Sequence, residues 1–191
     1  TSSRDNLTNN IISAAIQYNL DGINVDFEAL NADAVGNSYI QFIRELSLKC
    51  ANNGIVLSVD NYVPSDYTAF YNRAEQALFA DYVVIMAYDE HYAGSEAGSV
   101  ASLPFVREAV SDTVALVPSN QVIVGIPFYT RIWSVSGSTT TSRAVGMQDA
   151  INELNADGQT APWNEEAGQY VSSYEKNGVT KKTWFEEDKS V

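Results

Sequence analysis

The amino-acid sequence predicts an α/β fold, and two observations support that prediction. Segments with apolar residues at helical spacing alternate along the chain with short apolar runs that are bounded by turn residues. Because parallel strands need long crossover connections, which are usually helices, the alternation indicates a parallel sheet covered by helices. A TIM barrel and an open doubly wound sheet are both compatible with this order.

The predicted elements repeat a helix followed by a strand four times. We expect helices at 4–19, 36–51, 66–79 and 101–116, and strands at 23–28, 55–62, 81–87 and 121–128. A complete TIM barrel has eight strands and about 250 residues. Four strands in a chain of 191 residues therefore indicate a part of a barrel, unless the sheet is open.

The pattern changes after residue 133. Residues 134–146 are rich in Ser, Thr and Gly, which predicts a loop, and 147–156 have the spacing of a short helix. Asn177-Gly178 lies between two alternating segments, and this dipeptide is a strong signal for a β-hairpin. We therefore predict a main α/β domain at 1–133 and a small α+β subdomain at 134–191.

Composition excludes several classes of partner. With 24 acidic and 11 basic side chains, the chain has a net charge of −13, which repels nucleic acid and offers no basic run to an anionic membrane. No apolar run is long enough to cross a bilayer. A single cysteine and a single histidine exclude an internal disulfide and a His-rich metal site. A neutral glycan is compatible with this charge.

The first predicted strand carries polar side chains that point to chemistry. Asn24, Asp26 and Glu28 share one face because strand side chains alternate, and a central strand would bury them. Repulsion between two such close carboxylates favours keeping one protonated near neutral pH, as a general acid requires. A polar strand end that merely faces solvent, or a site for Mg²⁺ or Ca²⁺, would explain the same pattern.

Three ordered motifs resemble glycoside hydrolase family 18, the chitinase-like family. Residues 21–28 (DGINVDFE) are similar to the signature D-G-x-D-x-D-x-E, 86–89 (MAYD) to M-x-Y-D of the sixth barrel strand, and 125–131 (GIPFYTR) to G-x-P-F-Y-G-R of the seventh. The segment 134–191 resembles the α+β insertion of that family. The resemblance implies a partial TIM barrel, about strands 4 to 7, with the insertion subdomain, and the missing strands are expected from the rest of the same polypeptide.

The resemblance also implies a mechanism, substrate-assisted retaining hydrolysis of N-acetylated amino-sugar polymers, which needs neither a cofactor nor a metal. Glu28 would protonate the glycosidic oxygen, while Asp26 and Tyr88 would hold the substrate's acetamido group. Asn24 departs from the family signature, which has Asp at this position. Four further residues are expected to bind or border the substrate: Asp89, Tyr129, Arg131 and Met86.

Other interpretations remain open at this point. Tyr88 and Tyr129 could simply pack in a core, and Arg131 could be a surface charge or an ion-pair partner of Asp89. Residues 24–28 and 88–91 look most like the bacterial spore-germination branch of the family, which acts on peptidoglycan. This likeness implies a secreted protein or one associated with the cell wall or spore. The alternative function is that of a non-catalytic, lectin-like glycan-binding member of the same fold.

Overall fold

The computed structural model describes residues 2–28, 30–35 and 37–190. Its α-helices are α1 (Ser2–Gln17), α2 (Ala32–Val35), α3 (Ser38–Asn53), α4 (Arg73–Gln76), α5 (Leu103–Val114) and α6 (Met147–Ala156). Its strands are β1 (Gly22–Val25), β2 (Val56–Tyr62), β3 (Tyr82–Met86), β4 (Val122–Gly125), β5 (Tyr129–Ser136), β6 (Thr139–Gly146), β7 (Trp163–Asn164), β8 (Gln169–Lys176) and β9 (Val179–Phe185). Short 3₁₀ helices occupy Asp66–Tyr71 and Ser119–Gln121.

The chain divides into two compact units. Unit 1 comprises Thr1–Met86 and Ala109–Val124, and unit 2 comprises Ala87–Glu108 and Gly125–Val191. The domain boundary that we placed at residue 133 stays a prediction.

A four-stranded sheet with the order β1-β2-β3-β4 organises the first part of the chain. β1 and β2 run parallel, and so do β2 and β3, which confirms the α/β prediction. The register sets Asn24 opposite Ser58 and Asp60 opposite Val84. Parallel pairing brings the carboxyl ends of neighbouring strands to the same edge of the sheet, where polar side chains can gather.

The core of unit 1 lies between this sheet and its helices. Ile43 and Leu46 of α3 are completely buried, and so are Val59 of β2 and Val83 of β3. Cys50 is buried among these apolar side chains, as expected for a small hydrophobic residue, and burial raises the pKa of its thiol to about 11.

The predicted helix at 66–79 is wrong. The chain forms the 3₁₀ helix Asp66–Tyr71 and then the single turn α4, with Asn72 between them at a φ of 50°. A residue in this left-handed conformation interrupts an α-helix, and asparagine tolerates it better than most residues. The Asn72 side chain then accepts a hydrogen bond from the Glu75 backbone N–H and so caps the new turn.

Unit 2 contains an antiparallel sheet with the order β6-β5-β9-β8-β7. The hairpin expected at Asn177-Gly178 is confirmed, since these residues connect β8 to β9 with φ values of 54° and 75°. The short helix predicted at 147–156 is confirmed as α6.

The loop predicted at 134–146 is wrong, because this segment forms the hairpin of β5 and β6. Its Ser, Thr and Gly content suggested a loop, yet β-branched threonine favours strands. Gly137 supplies the positive φ of 56° at the turn. Pairing with β9 on the other edge of β5 fixes the hairpin in the sheet, and single-segment composition cannot show such pairing.

Trp133 anchors β5 in unit 2. Its side chain is completely buried, and its Nε1 donates a hydrogen bond of 2.9 Å to the carbonyl oxygen of Gly98. Earlier in the same strand, Thr130 is also buried, and its hydroxyl donates to the Trp184 carbonyl at 2.5 Å. Nowhere in the described residues does a helix combine the length and apolar character needed to span a bilayer.

Candidate active site

The sequence-predicted site residues divide between the two units. Unit 1 holds Asn24, Asp26, Glu28 and Met86, and unit 2 holds Tyr88, Asp89, Tyr129 and Arg131.

In unit 1, the predicted acids follow the carboxyl end of β1. The strand ends at Val25, so our prediction that it continues to Glu28 is wrong. Asn24, Asp26 and Glu28 are all exposed, which corrects the expectation that a central strand buries them. The physical reason is position: β1 is the outermost strand of the four-stranded sheet, and the two acids stand beyond its last paired residue.

Asn24 bridges two polar side chains of the neighbouring strand. Its Oδ1 accepts a hydrogen bond of 2.7 Å from the Ser58 hydroxyl, and its Nδ2 donates one of 3.0 Å to Oδ2 of Asp60. Because a hydroxyl donor lies on one side and a carboxyl acceptor on the other, the orientation of the amide is fixed by its partners.

Asp60 is the acid of this cluster that sequence reasoning missed. Burial raises the pKa of its carboxyl group, the hydrogen bond from Asn24 opposes this shift, and the charges of Asp26 and Glu28 add to it. Oδ1 of Asp60 is buried and has no hydrogen-bond partner among the described residues. We name Asn24, Ser58, Asp60, Asp26 and Glu28 the carboxyl cluster.

Two tyrosines hold the segment that carries Glu28. The Tyr62 hydroxyl donates a hydrogen bond of 3.1 Å to Oε2 of Glu28, and the buried Tyr71 donates one of 2.9 Å to the carbonyl oxygen of Phe27. The Phe27 ring stacks on Phe42 of α3, with 5.4 Å between ring centroids. These contacts fix the backbone just before Glu28 and position its carboxylate.

The signal for Asp60 and Tyr62 was present in the sequence. Ser58, Asp60 and Tyr62 alternate with buried residues in the second predicted strand, so they share a face. The missing information was the register that sets this face beside Asn24. Met86 is buried at the end of β3, where it pairs with Tyr62.

In unit 2, Tyr88, Asp89 and Tyr129 come together. The Tyr129 hydroxyl donates a short hydrogen bond to Oδ1 of Asp89, and the rings of Tyr88 and Tyr129 meet edge to face with 6.4 Å between centroids. Burial, and then the hydrogen bond to Asp89, raise the pKa of Tyr129 well above its usual range. Asp89 has a φ of 58°, a left-handed conformation that turns the chain after Tyr88.

Arg131 lies two residues after Tyr129 in β5, on the same face of the strand. Its Nη1 donates to the Ser142 hydroxyl at 3.1 Å, and its Nε is buried with no hydrogen-bond partner in the described ranges. In those ranges Arg131 and Asp89 form no ion pair, and Asp89 accepts a hydrogen bond from Tyr129. Arg131 is only partly exposed, so it is not an ordinary surface charge.

The carboxyl cluster contains groups that are chemically able to transfer protons. Carboxyl groups with differing surroundings can act as acid and as base in one reaction. Across the part of the chain that the structure describes, no group of three or more His, Cys, Asp and Glu side chains is arranged to hold a metal ion.

The family model described as "Glycosyl hydrolases family 18" matches residues 1–191. The chain belongs to this family. The resemblance that the three sequence motifs indicated is thereby confirmed.

Relatives in Bacillus subtilis support the same assignment. The chain is 32% identical over 201 residues to YdhD, described as a candidate sporulation-specific glycosylase, and the match covers 99% of this chain and 46% of that one. It is 30% identical over 198 residues to YvbX, described as an uncharacterized glycosylase, with 99% and 56% covered. It is 25% identical over 195 residues to a cortical fragment-lytic enzyme, with 97% and 45% covered. The chain thus spans about half the length of these curated relatives.

Solved structures agree in fold. The Bacillus subtilis YdhD crystal structure superposes with a TM-score of 0.92 at 30% identity, covering 100% of this chain and 65% of that chain. The spore cortex-lytic enzyme SleL of Bacillus megaterium gives 0.85 at 23% identity, covering 98% and 44%, which shows likeness of fold alone.

Proposed function

We propose that the protein is a glycoside hydrolase that cleaves β-linked N-acetylglucosamine glycans by substrate-assisted retaining catalysis. The observation that carries the proposal is the exposed Glu28 carboxylate beyond the end of a parallel strand, positioned by Tyr62, in a chain of family 18. Active sites of parallel α/β folds lie at the carboxyl ends of strands, which is where Asp26 and Glu28 stand.

Glu28 acts first as the general acid. Its carboxyl proton passes to the glycosidic oxygen as the bond from that oxygen to the anomeric carbon breaks. The carbonyl oxygen of the substrate's 2-acetamido group attacks the same carbon and forms an oxazolinium ion. Glu28, now a carboxylate, takes a proton from the water that opens this ion, so the β-configuration is retained and the acid is restored.

Asp26 stabilises the acetamido group. Its carboxylate accepts a hydrogen bond from the acetamido N–H, which becomes more acidic as the nitrogen gains positive character. In this proposal Tyr88 donates to the acetamido oxygen and so holds it for attack. The Tyr129–Asp89 hydrogen bond and the edge-to-face contact support Tyr88 from its own unit. The buried Nε of Arg131, which has no hydrogen-bond partner in the described residues, donates to a sugar oxygen in this proposal.

We also propose that the parallel sheet is part of a TIM barrel, corresponding to about strands 4 to 7. In support, strands that follow one another in sequence are neighbours in the sheet, as they are around a barrel. Peptidoglycan is the substrate that we favour, because three relatives are named cortical fragment-lytic enzymes. A secreted, cell-wall or spore location would bring the protein to that polymer.

The substrate-assisted step is tested with two chromogenic substrates that share one leaving group. A β-chitobioside carries the 2-acetamido group, and the β-cellobioside has a hydroxyl there. We expect turnover of the first and none of the second, with the β-anomer as first product by proton NMR. Equal turnover of both substrates would contradict the mechanism. Release of reducing ends from purified spore cortex, compared with colloidal chitin, then separates the two natural polymers.

The general acid is tested with Glu28→Gln. We expect kcat to fall about 10³-fold, within the usual range for loss of a general acid, and binding of chitooligosaccharides to persist. Glu175→Gln, which alters an exposed carboxylate in the β8–β9 hairpin, is the matched control and should keep wild-type activity. Equal rates for wild type and Glu28→Gln would remove Glu28 from this role, and glycan binding without any turnover by the wild type would support the lectin-like function instead.

A further inference from the structure

We infer that Asp60 is a positioning residue of the proposed reaction, acting through Asn24 from the neighbouring strand. The inference rests on the proposed function, because it concerns the same carboxyl cluster. It adds a residue that lies outside all three sequence motifs and 36 positions from Asn24 along the chain.

The hydrogen-bond chain is the first argument. Ser58 donates to Asn24 at 2.7 Å, and Asn24 donates to Asp60 at 3.0 Å, so side chains of β2 hydrogen-bond both the oxygen and the nitrogen of the amide. The charge of Asp26 acts on Asp60, which accepts the hydrogen bond from Asn24, so an amide fixed at position 24 lies near Asp26. Because its hydrogen bonds prevent the Asn24 amide from rotating, the amide keeps one orientation toward the Asp26 carboxylate.

The surroundings of Asp60 are the second argument. The charges that face it come from Asp26 and Glu28 at the end of β1, and Tyr39 of α3 carries a buried hydroxyl that has no hydrogen-bond partner in the described residues. On the other side β3 places the uncharged Val84 opposite Asp60. Among the described residues the buried Oδ1 of Asp60 accepts no hydrogen bond, while the charge of Asp60 interacts with two carboxylates and with the Tyr39 phenol, which is a costly arrangement for a purely structural residue.

The chemistry of the pair is the third argument. Asn24 stands where the family signature has aspartate, and Asp60 brings a carboxyl group to hydrogen-bond distance of that position. A carboxyl group at this place is thus supplied by the neighbouring strand and not by position 24 itself. Exchanging the two residue types would keep every hydrogen bond, because a carboxylate at 24 accepts from Ser58 and from an amide at 60 alike.

The experiment is a charge swap with four proteins: wild type, Asp60→Asn, Asn24→Asp, and the double variant. On the β-chitobioside we expect Asp60→Asn to lower kcat about 30- to 100-fold with KM within about threefold, and to shift the acid limb of the pH profile. Asn24→Asp places two carboxyl groups in contact and should also lower kcat. The double variant should recover to within about fivefold of wild type.

Controls separate this inference from the proposed function. Asp112→Asn changes an exposed acid of the same unit and should keep wild-type kcat. Turnover that is present in the wild type and lost in Glu28→Gln would first establish the proposed function. If the wild type is inactive, the proposed function fails. The positioning is then read without turnover, from the side-chain amide NMR signals of Asn24, which should titrate with Asp60 in the wild type and lose that titration in Asp60→Asn.

Two results would overturn the inference. One is wild-type kcat and pH profile in a folded Asp60→Asn protein. The other is a double variant that unfolds at the wild-type temperature yet stays as slow as Asp60→Asn, since intact hydrogen bonds without recovered activity would contradict positioning through Asn24. If Asp60→Asn does not fold, the double variant is compared with the wild type, and a folded double variant whose kcat stays more than about fivefold below the wild-type value would overturn the inference.

Discussion

Two carboxyl–amide pairs, one in each unit, have the same chemistry and different surroundings. In unit 1 Asp60 accepts from Asn24, and in unit 2 Glu186 accepts a short hydrogen bond from Gln169. Burial raises the pKa of both acids, and the amide opposes the shift in both, with Glu186 reaching about 7. The amides differ, because Asn24 is exposed whereas Gln169 is only 1% exposed.

The contacts of the two amides explain what each pair does. Gln169 also donates to the carbonyl oxygen of Ala101 at 3.3 Å, so it ties β8 to the chain before α5. Glu186 and Gln169 border a cavity of about 160 Å³ whose wall includes Leu103, Val106 and other apolar residues. The first pair adjoins the carboxylates of Asp26 and Glu28, to which the proposed function assigns the reaction, and the second pair holds backbone. We therefore expect the pair with the exposed amide to serve the proposed reaction and the pair with the buried amide to serve stability.

The largest expected effect comes from removing each amide. Gln169→Leu leaves the Glu186 carboxyl and the Ala101 carbonyl without their donor, so we expect the free energy of unfolding to fall by about 2–3 kcal/mol. Asn24→Leu alters an exposed side chain and should cost less than about 1 kcal/mol while lowering kcat at least about tenfold. Urea denaturation at pH 7.5, with kcat measured on the same samples, checks both. A destabilised Asn24→Leu or an inactive, stable Gln169→Leu would contradict the division of roles between the two pairs.

A smaller effect distinguishes the pairs by pH. The folded-state pKa of Glu186 is raised from 4.5 to about 7, so its contribution to stability is fully present below about pH 4.5 and is lost as the pH rises through 7. We therefore expect Glu186→Gln and wild type to be equally stable at pH 4. At pH 8 the variant should be more stable by about 2 kcal/mol, after discounting the full shift for partial exposure of the side chain.

Thermal and urea unfolding between pH 4 and 8 measure this difference. If Glu186→Gln keeps the kcat of the wild type at pH 6, this supports the contrast with Asp60→Asn, whose kcat we expect to fall. A variant that loses stability as the pH rises, relative to wild type, would show that the Glu186 carboxylate is stabilising and that the expected sign is wrong.

The smallest expected effect concerns two tyrosines that each donate to a carboxylate. Tyr62 donates to Glu28 at 3.1 Å in unit 1, and Tyr174 donates to Asp157 at 2.8 Å in unit 2. Tyr62→Phe should lower kcat about three- to tenfold, because one hydrogen bond is lost at the proposed general acid. Tyr174→Phe should leave kcat unchanged and lower stability by about 1 kcal/mol. Steady-state kinetics and denaturation of the two variants, measured side by side, check this difference. Equal changes of kcat and of stability in the two variants would contradict it.

Much of the fold was predictable because its signals are local. The apolar runs of β2 and β3, helix α6 and the Asn177-Gly178 turn depend on residues within about ten positions of one another. The failures at 66–79 and 134–146 have a common cause. Asn72 takes a left-handed conformation and β6 pairs along the whole of β5, and neither appears in the hydrophobic period of the segment itself.

The sequence by itself determined that Asn24, Asp26 and Glu28 lie at and just beyond the carboxyl end of an apolar strand, because the apolar run of that strand is a property of the segment alone. Only the tertiary structure decided that Asp60 meets Asn24, that Tyr62 meets Glu28, and that Glu186 is partly buried. The physical reason is that strand register and burial arise from packing between segments far apart in the chain, whereas periodicity is a property of each segment taken singly.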